Sequence, residues 1–338
     1  MRLPTIRDVA RTAGVSISTV SLVLRQPQRV SEGTRDRVQE AIKSLEFRPN
    51  GTARDLRIRK SGTVGVFLRN LSGPYYSELI GGIEQVATDL SLTPIICGRS
   101  VDQEQGSIRL LRERRIDGAI VLDFGISLSE LVQYSGPQLP VVVLNRSLPA
   151  PLASAYITGV RIDDDGGGYL AGKHLIEQGF LRPAVITGPI EAEASQSRQR
   201  GFFQAYAEHG IDPTNVPVIH SDFTESGGAQ AMETLLNLGG AIDAIFSAND
   251  EMALGVLQTL ATYGISVDQI AVMGFDDIPL ARYVQPPLTT VHQPMSEVGA
   301  TAMELLGRAM HGEERIPPRT LSTSLVVRAS TPSKARPQ

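Results

Sequence analysis

From residue 63 onward, short apolar runs rich in β-branched residues alternate with longer amphipathic segments. The apolar runs form two series, one at 63–68, 93–97, 118–122 and 141–144, and the other at 184–187, 216–220, 244–247 and 270–274. Segments with helical periodicity lie between them, at 76–90, 102–115, 168–179, 226–238 and 251–264. Strands that alternate with helices predict parallel sheets covered by helices on both faces. Two successive series predict an α/β body of two similar lobes.

Polar and aromatic side chains follow several of these predicted strands. They are Asn145, Phe223, Asn249 and Asp276. Sheets of this kind bind ligands outside the carboxyl ends of their strands, so these residues are expected around one cleft. Mixed donors and acceptors suit a polyhydroxylated ligand, because each hydroxyl group both donates and accepts hydrogen bonds. Asn249 also fits a second role, as the cap of the helix that follows it.

Charge divides the chain into a basic head and an acidic remainder. Residues 1–60 contain thirteen Lys/Arg and six Asp/Glu, a net charge of +7, whereas the rest contains 19 basic and 30 acidic residues, a net charge of −11. A length of 338 residues predicts two or three domains. A basic head on an acidic body is typical of a nucleic-acid-binding module joined to a second module.

Composition argues against several other classes of protein. Cys97 is the only cysteine, which excludes an intramolecular disulfide and disfavours a cysteine-based metal site. The five histidines lack metal-ligand spacing, and we find neither a phosphate-binding glycine loop nor a nucleophile elbow, so we expect no catalytic site and no cofactor. No apolar stretch predicts a membrane helix, and the N-terminus lacks a signal peptide. We therefore expect a cytoplasmic protein.

The head begins with a short amphipathic helix followed by a glycine turn. Ile6, Val9, Ala10 and Ala13 form one apolar stripe. Gly14 suits the tight turn, and Ser16 is a good N-cap for a second helix. Ser31 is predicted to cap a third helix, whose buried stripe is Val38, Ala41, Ile42 and Leu45.

The second helix has two distinct faces. At about 100° per residue, Val20, Val23 and Leu24 lie on one side, and Ser18, Ser21 and Leu22 lie on the other. The first set is predicted to pack on the first helix, which leaves the second set free, as in a recognition helix. Ile17 lies beside Leu24, so its position is equally consistent with the core.

These segments closely resemble the N-terminal region of the lactose-repressor (LacI/GalR) family of transcriptional regulators. The matching segments are Thr5-Ile6-Arg7-Asp8-Val9-Ala10, Ala13-Gly14-Val15-Ser16, Ser18-Thr19-Val20-Ser21 and Phe47-Arg48-Pro49-Asn50. The resemblance runs more loosely through nearly all of the remaining chain. It implies a helix-turn-helix head joined to a body that resembles periplasmic sugar-binding proteins.

The resemblance assigns DNA-binding roles to head residues. It implies contacts to the DNA backbone, which set register without reading sequence, at Thr5, Ser16, Thr19, Ser21, Ser31 and Thr34. It implies base reading in the major groove by Ile17, Ser18 and Leu22, a set without a side chain for a bidentate base contact. Arg25 and Arg29, which we expect beyond the second helix, are candidates to compensate.

Residues 50–60 are predicted to connect the head to the body. Asn50, Ala53 and Leu56 read as a short helix that is too short to be stable alone. By resemblance it is a hinge helix that folds on the operator, with Leu56 wedged into the minor groove to kink the DNA. The alternative is a plain interdomain linker.

The resemblance also extends the set of effector-binding candidates. The segment 70–76 resembles a family loop that presents two aromatic residues, here Tyr75 and Tyr76, to the cleft. Arg198 stands at the family's ligand-binding arginine position, and Gln293 stands at a crossing between lobes. Tyr75 could stack on the apolar face of a sugar or on a purine, so both effector classes remain open. Arg69, Glu191 and Glu193 are expected near the cleft. Arg69 is interpreted as a solvated loop charge in preference to a site for an acidic sugar.

We therefore predict a helix-turn-helix domain at residues 1–49, a hinge at 50–60 and an effector-binding and dimerisation domain at 61–338. By resemblance the chain crosses between lobes near Asp163, Gln293 and Thr323. The N-lobe then comprises residues 62–162 and 294–323, and the C-lobe comprises 163–292 and 324–332. The expected function is a homodimeric repressor that binds double-stranded operator DNA under control of a small molecule, either a sugar or a purine. The other hypothesis is a solute-binding protein without a DNA role.

Overall fold

The structure is a computed structural model that describes residues 4–47, 61–69, 73–98, 109–113, 115–123, 125–149 and 155–334, apart from the Arg25 side chain. The chain folds into two compact units, Met1–Ser61 and Gly62–Gln338. The predicted hinge residues Asn50, Ala53 and Leu56 lie outside the described residues. Most of the predicted helix at 102–115 does so as well.

The described part of the first unit contains three α-helices, α1 (Ile6–Ala13), α2 (Ile17–Arg25) and α3 (Glu32–Ser44). Gly14 ends α1 in the left-handed conformation with a φ of 64°, as the predicted turn requires. Ser16 caps α2, because its hydroxyl oxygen accepts a hydrogen bond from the Thr19 backbone N–H at 3.0 Å. A small core of apolar side chains joins the three helices; its buried members are Val9, Ala10, Ala13, Val20, Val23, Val38, Ala41 and Phe47.

Three expectations about this unit are wrong. Leu24 was placed on the buried face of α2, but it is 39% exposed. Ile17 is 45% exposed, which excludes the core alternative. Arg25 is the last residue of α2 and does not lie beyond it. The neighbouring helices cover only part of the circumference of α2, so residues at the edge of its apolar stripe stay exposed.

The second unit contains two six-stranded sheets. The first has the order β11-β5-β4-β3-β1-β2 and the second the order β12-β10-β9-β8-β6-β7. The strands of the first sheet are β1 (Thr63–Leu68), β2 (Thr93–Gly98), β3 (Gly118–Val121), β4 (Val141–Leu144), β5 (Ile157–Ile162) and β11 (Arg319–Leu321). Those of the second are β6 (Pro183–Thr187), β7 (Val218–His220), β8 (Ala244–Ser247), β9 (Ala271–Asp276), β10 (Thr289–His292) and β12 (Ser324–Val326).

Helices cover both faces of each sheet, as the alternation of strands and helices predicts. The N-lobe, built on the first sheet, includes α4 (Pro74–Asp89), α5 (Leu128–Tyr134) and α10 (Met295–Met310). The C-lobe, built on the second, includes α6 (Asp164–Glu177), α7 (Glu193–Glu208), α8 (Glu225–Asn237) and α9 (Asp250–Thr262). All strand pairs are parallel except β10 with β12, which is antiparallel. The fold class is therefore a helical head and an α/β body of two parallel-sheet lobes.

The chain changes sheet three times, after β5, after β10 and after β11. Asp163, Gln293 and Thr323 each lie between the last element of one lobe and the first of the other. The apolar-run pattern missed β10 because its threonines, Thr289 and Thr290, are polar although fully buried. It also missed β5, the three-residue strands β11 and β12, and helix α10.

Candidate functional site

The polar face of α2 is the candidate DNA-reading surface of the head. Ile17, Ser18 and Leu22 are exposed, whereas Val20 and Val23 of the same helix are buried. The free face predicted from helical periodicity is therefore present. Exposed isoleucine and leucine side chains on a polar helix face suit apolar contact with a thymine methyl group.

Hydroxyl groups surround the N-terminus of α2 and the start of α3. Ser16 Oγ lies 2.6 Å from Ser18 Oγ and 2.8 Å from Thr19 Oγ1. Ser31 Oγ donates to Thr34 Oγ1 at 3.0 Å instead of bonding a backbone N–H. Thr5 caps α1 with its backbone N–H donating to Asp8 Oδ2 at 2.9 Å. Ser21 lies on α2, and Arg29 is exposed in the 3-10 turn Pro27–Arg29. Hydroxyl and guanidinium groups can donate hydrogen bonds to phosphate oxygens, so the contacts of these residues with the DNA backbone stay predictions.

In the second unit, a cavity of about 290 Å³ lies between the lobes at the carboxyl ends of the strands. Its volume is at the lower end of the range for small-molecule sites, which favours a compact ligand. It brings together seven of the eight predicted effector-binding residues, Tyr75, Tyr76, Asn145, Arg198, Phe223, Asn249 and Asp276. The eighth, Gln293, is fully buried behind the wall, where its side-chain amide donates to Asp276 Oδ1.

Arg198 of α7 is the centre of a buried ion-pair network. Its Nε donates to Asp164 Oδ1 at 2.8 Å, and its Nη1 donates to the Ala248 carbonyl oxygen at 2.6 Å and to Asp276 Oδ1 at 3.3 Å. The guanidinium carbon lies 3.8 Å from the centre of the Phe275 ring, a cation–π contact. Two carboxylates already neutralise this arginine, so we expect it to offer a ligand directed hydrogen bonds more than net charge.

Asp276 presents an unusual carboxyl group to the cavity. It closes β9 with a φ of 123°, a conformation that non-glycine residues adopt at a cost of about 1–3 kcal/mol. Burial raises the pKa of Asp276 from 3.8 to about 7, although the charge of Arg198 and the Gln293 hydrogen bond lower it. A strained, desolvated carboxyl group that faces a cavity is typical of a binding site.

This raised pKa predicts a pH dependence of stability. The folded protein holds a proton on Asp276 between about pH 4 and 7 that the unfolded carboxyl group has lost, so its contribution to the free energy of unfolding falls as pH rises through that window. Removing the carboxyl group with Asp276→Asn should make this fall shallower, by at most about 1.4 kcal/mol per pH unit. Urea unfolding of the full chain at several pH values measures it.

Asp212→Asn is the matched control. The pKa of the exposed Asp212 carboxyl is lowered by hydrogen bonds from Thr214, so this group is ionised in both states above about pH 5. The control should leave the slope between about pH 5 and 7 unchanged. Equal slopes in the wild type and Asp276→Asn would contradict the prediction.

The two tyrosines form the aromatic part of the N-lobe wall. Their rings meet edge to face with centres 5.1 Å apart. The Asn145 side-chain amide donates to Tyr75 Oη at 3.1 Å, while Asn145 Oδ1 is buried and has no hydrogen-bond partner among the described residues. Burial raises the pKa of Tyr75 above its usual range and that of Tyr76 to about 12, so both phenols are neutral. This wall offers an apolar face and an acceptor to a ligand.

Asn249 and Phe223 line the opposite side. Asn249 is the N-cap of α9, with Oδ1 accepting from the Met252 backbone N–H at 3.0 Å and Nδ2 donating to the Phe223 carbonyl oxygen at 3.1 Å. The alternative role as a helix cap is therefore confirmed, and it occupies both ends of the side-chain amide. Phe223 has a φ of 70° and places its ring beside the cavity.

Several lining residues escaped sequence reasoning. Arg69 lines the cavity, so its interpretation as a solvated loop charge is wrong. The charged or polar lining side chains that sequence reasoning missed are Arg146, Asp222, Thr224 and Glu251, whereas Glu191 and Glu193 line the cavity as expected. Asp164, the main partner of Arg198, was not among the predicted effector-binding residues. The Asp-rich segment that begins α6 was its only signal, because the pairing depends on how α6 packs against α7.

Two further properties concern metal ions and membranes. Within the described ranges, no cluster of three or more His, Cys, Asp or Glu side chains is arranged to hold a metal ion. None of the described helices is long and apolar enough to cross a membrane.

Both units match known protein families. Residues 5–50 match the family described as bacterial regulatory proteins, lacI family, and residues 173–331 match the periplasmic binding protein-like domain. The HTH-type transcriptional repressor PurR of Aliivibrio salmonicida (strain LFI1238) is 32% identical over 321 residues, which cover 93% of this chain and 95% of that protein. The ribose operon repressor of Escherichia coli (strain K12) is 35% identical over 310 residues, 90% of this chain and 92% of that protein.

The fold is similar to a solved structure over almost its full length. The structure of the lac repressor dimer bound to operator and the anti-inducer ONPF aligns with a TM-score of 0.85 at 28% sequence identity. The alignment covers 98% of this chain and 100% of that chain.

Proposed function

Because the chain belongs to the LacI family of bacterial regulatory proteins, we propose that it represses transcription from an operator whose affinity is set by a sugar or sugar derivative in the interlobe cavity. The observation that carries this proposal is the clustering of seven predicted effector-binding side chains in one cavity between the lobes. A ligand held by both lobes favours one lobe arrangement. It thereby changes operator affinity, typically by about 1–3 kcal/mol.

The operator is proposed to be double-stranded and close to palindromic, bound by a homodimer. Support comes from the lac repressor structure, which is a dimer on its operator. In this chain Ile17, Ser18 and Leu22 are proposed to contact base edges, and the surrounding hydroxyl groups are proposed to contact phosphates. Arg25, Asn50, Ala53 and Leu56 remain DNA-binding predictions. DNA is its target, so we place the protein in the cytoplasm.

Leu22→Ala tests the reading surface. It should weaken binding to the operator by about tenfold, because a lost apolar base contact is worth on the order of 1 kcal/mol or more, and should leave binding to scrambled DNA unchanged. Fluorescence anisotropy with the full chain measures both, using an operator selected from random duplexes. Leu238→Ala, at a leucine that is 66% exposed in the C-lobe, is the matched control and should alter neither affinity. A similar loss of affinity for the operator and for scrambled DNA would show that Leu22 does not act by reading bases.

A purine effector is the second candidate. It is favoured by the PurR relative and by the aromatic rings of Tyr75, Tyr76 and Phe223, since stacking suits a purine as well as a sugar. The same anisotropy assay, run with aldoses, sugar acids, sugar phosphates, nucleosides and free purines, separates the two classes. A change in operator affinity with purines alone would replace the sugar proposal by the purine one, and no change with any compound would refute effector control.

We propose no catalytic role for the cavity. Its most buried charged group, Arg198, is paired with Asp164 and Asp276, and the described lining residues are not arranged as a nucleophile with an adjacent base. An effector that shifts operator affinity should be recovered chemically unchanged after prolonged incubation with the protein. Mass spectrometry of the recovered compound checks this.

A further inference from the structure

The two walls of the cavity carry opposite charge. The described lining residues of the N-lobe include two arginines, Arg69 and Arg146, and no carboxylate. Those of the C-lobe include one arginine and five carboxylic acids, Glu191, Glu193, Asp222, Glu251 and Asp276. A ligand that touches both walls therefore meets cations on one side and mostly acceptors on the other.

Arg198, the arginine expected from the resemblance to hold the ligand, is not a free cation. It forms ion pairs with Asp164 at 2.8 Å and Asp276 at 3.3 Å and is only 3% exposed. An anionic ligand placed there would face two carboxyl groups packed against the same guanidinium group, so its charge would gain little from the arginine. The cation that an anion can use must lie elsewhere in the cavity.

Arg146 fits that role. It follows β4 next to Asn145, and its Nη1 donates to the Ile126 carbonyl oxygen at 2.6 Å. Among the described residues, no carboxylate lies within 4.0 Å of its guanidinium group. Burial lowers the pKa of Arg146, which shows that the guanidinium group is partly desolvated without full compensation. The hydrogen bond to the Ile126 carbonyl oxygen holds one nitrogen of the guanidinium group and leaves its other N–H groups for a ligand.

Glu193, the carboxylate whose charge acts most strongly on Arg146, is engaged by another partner. Its two carboxylate oxygens accept hydrogen bonds from the backbone N–H of Ser147 at 2.8 Å and from the Ser147 hydroxyl group. Arg161 Nη1 in turn donates to Ser147 Oγ at 2.5 Å. Glu193 is therefore held beside Arg146, where it raises the pKa of Arg146 through its charge without forming a direct ion pair.

We propose that the effector of this regulator is an anionic sugar derivative, a sugar carboxylate or sugar phosphate, whose anion binds Arg146 on the N-lobe wall while its hydroxyl groups bind the acceptors of the C-lobe. This proposal rests on the proposed function and narrows its ligand class. A neutral sugar would leave Arg146 desolvated and unpaired, whereas an anion offers the bidentate partner that a guanidinium group prefers. Donor-rich hydroxyl groups match the carboxylates opposite. Arg146 is thus the specificity-determining residue.

The test measures binding of matched ligands to the full chain by titration calorimetry. The ligands are D-ribose, D-xylose, D-glucose and D-galactose, each with its aldonate and its sugar phosphate, together with inorganic phosphate. We expect at least one aldonate or phosphate to bind at least about tenfold more tightly than its parent sugar, since a hydrogen-bonded charge is worth about this much. Whichever of the two derivatives binds more tightly identifies the preferred anion as a carboxylate or a phosphate.

Arg146→Gln should remove this preference by weakening the anionic ligand at least about tenfold while changing the parent sugar little. Arg319→Gln, at an exposed arginine of the N-lobe, should leave both affinities unchanged. Equal affinities for sugar and derivative, retention of the preference in Arg146→Gln, or no binding by any anionic derivative would overturn the proposal. Equally tight binding of inorganic phosphate would also overturn it, as a site for an adventitious ion only. A neutral sugar or a purine that shifts operator affinity would refute this inference and leave effector control intact.

Discussion

Replacing Arg198 with alanine is expected to lower the free energy of unfolding by about 3–5 kcal/mol, because the change leaves two buried carboxylates without their partner. Asp164 and Asp276 are 8% and 7% exposed, so both carboxyl groups are largely removed from water and depend on the guanidinium group for compensation. Burial already raises the pKa of Asp164 despite the opposing charge of Arg198. Without the arginine, whose charge lowers both values, the pKa of both carboxyl groups should rise further.

The same two helices provide the control for this prediction. Arg200 of α7 pairs with Asp165 of α6 through two hydrogen bonds of 2.7 Å, but both side chains are about half exposed or more. An exposed pair of this kind contributes at most about 1 kcal/mol, so Arg200→Ala should have little effect. Urea unfolding of the full chain, with the transition of the C-lobe followed separately, compares the two. Similar losses for both variants would mean that the buried pairing does not stabilise the C-lobe.

Gly82→Ala is expected to destabilise the N-lobe by about 3 kcal/mol or more, the upper range for overpacking. A Cβ atom at Gly82 would lie 1.9 Å from the Ser296 carbonyl oxygen of α10. Conversely, a Cβ atom at Gly299 would lie 2.1 Å from the Leu79 carbonyl oxygen of α4. The two helices therefore touch through their backbones, and no side-chain rotation can relieve the overlap.

The neighbouring residue is again the control. A Cβ atom at Gly81 meets no atom within 4 Å, and the residue lies in the same helix. Gly81→Ala should stabilise α4 by about 0.5–1 kcal/mol, because alanine loses less conformational entropy in a helix than glycine does. In thermal unfolding, the melting temperature of Gly82→Ala should therefore lie below that of the wild type, and the melting temperature of Gly81→Ala should lie above it. A Gly82→Ala variant as stable as the wild type would show that α4 and α10 separate at little cost.

Local patterns predicted most of the candidate site. Asn145, Phe223 and Asn249 were recognised because polar or aromatic residues after parallel strands meet at one sheet edge, and the structure places all three around the cavity. Asp276 was recognised in the same way, although β9 extends to include it. Tyr75, Tyr76 and Arg198 came from the family resemblance, since nothing in their spacing alone separates them from ordinary helix residues.

Other roles depend on contacts that sequence neighbours do not encode. Gln293 was expected to touch the ligand, yet it lies behind Asp276 and orients that carboxyl group. In the sequence, Arg69 and Arg146 look like ordinary loop charges. The folding of the N-lobe brings both of them to one wall of the cavity. The exposure of Leu24 depended likewise on how much of α2 its neighbours cover.

The sequence by itself determined the elements and the order in which they occur. Periodicity of 3.6 residues and runs of β-branched residues fix local backbone structure, and Ser16, Gly14 and Asn249 act on backbone groups within three residues of themselves. The tertiary structure alone decided which charges meet. The pairing of Arg198 with Asp164 and Asp276 joins residues 34 and 78 positions apart, and it forms only because α6, α7 and the end of β9 pack together closely enough to exclude water.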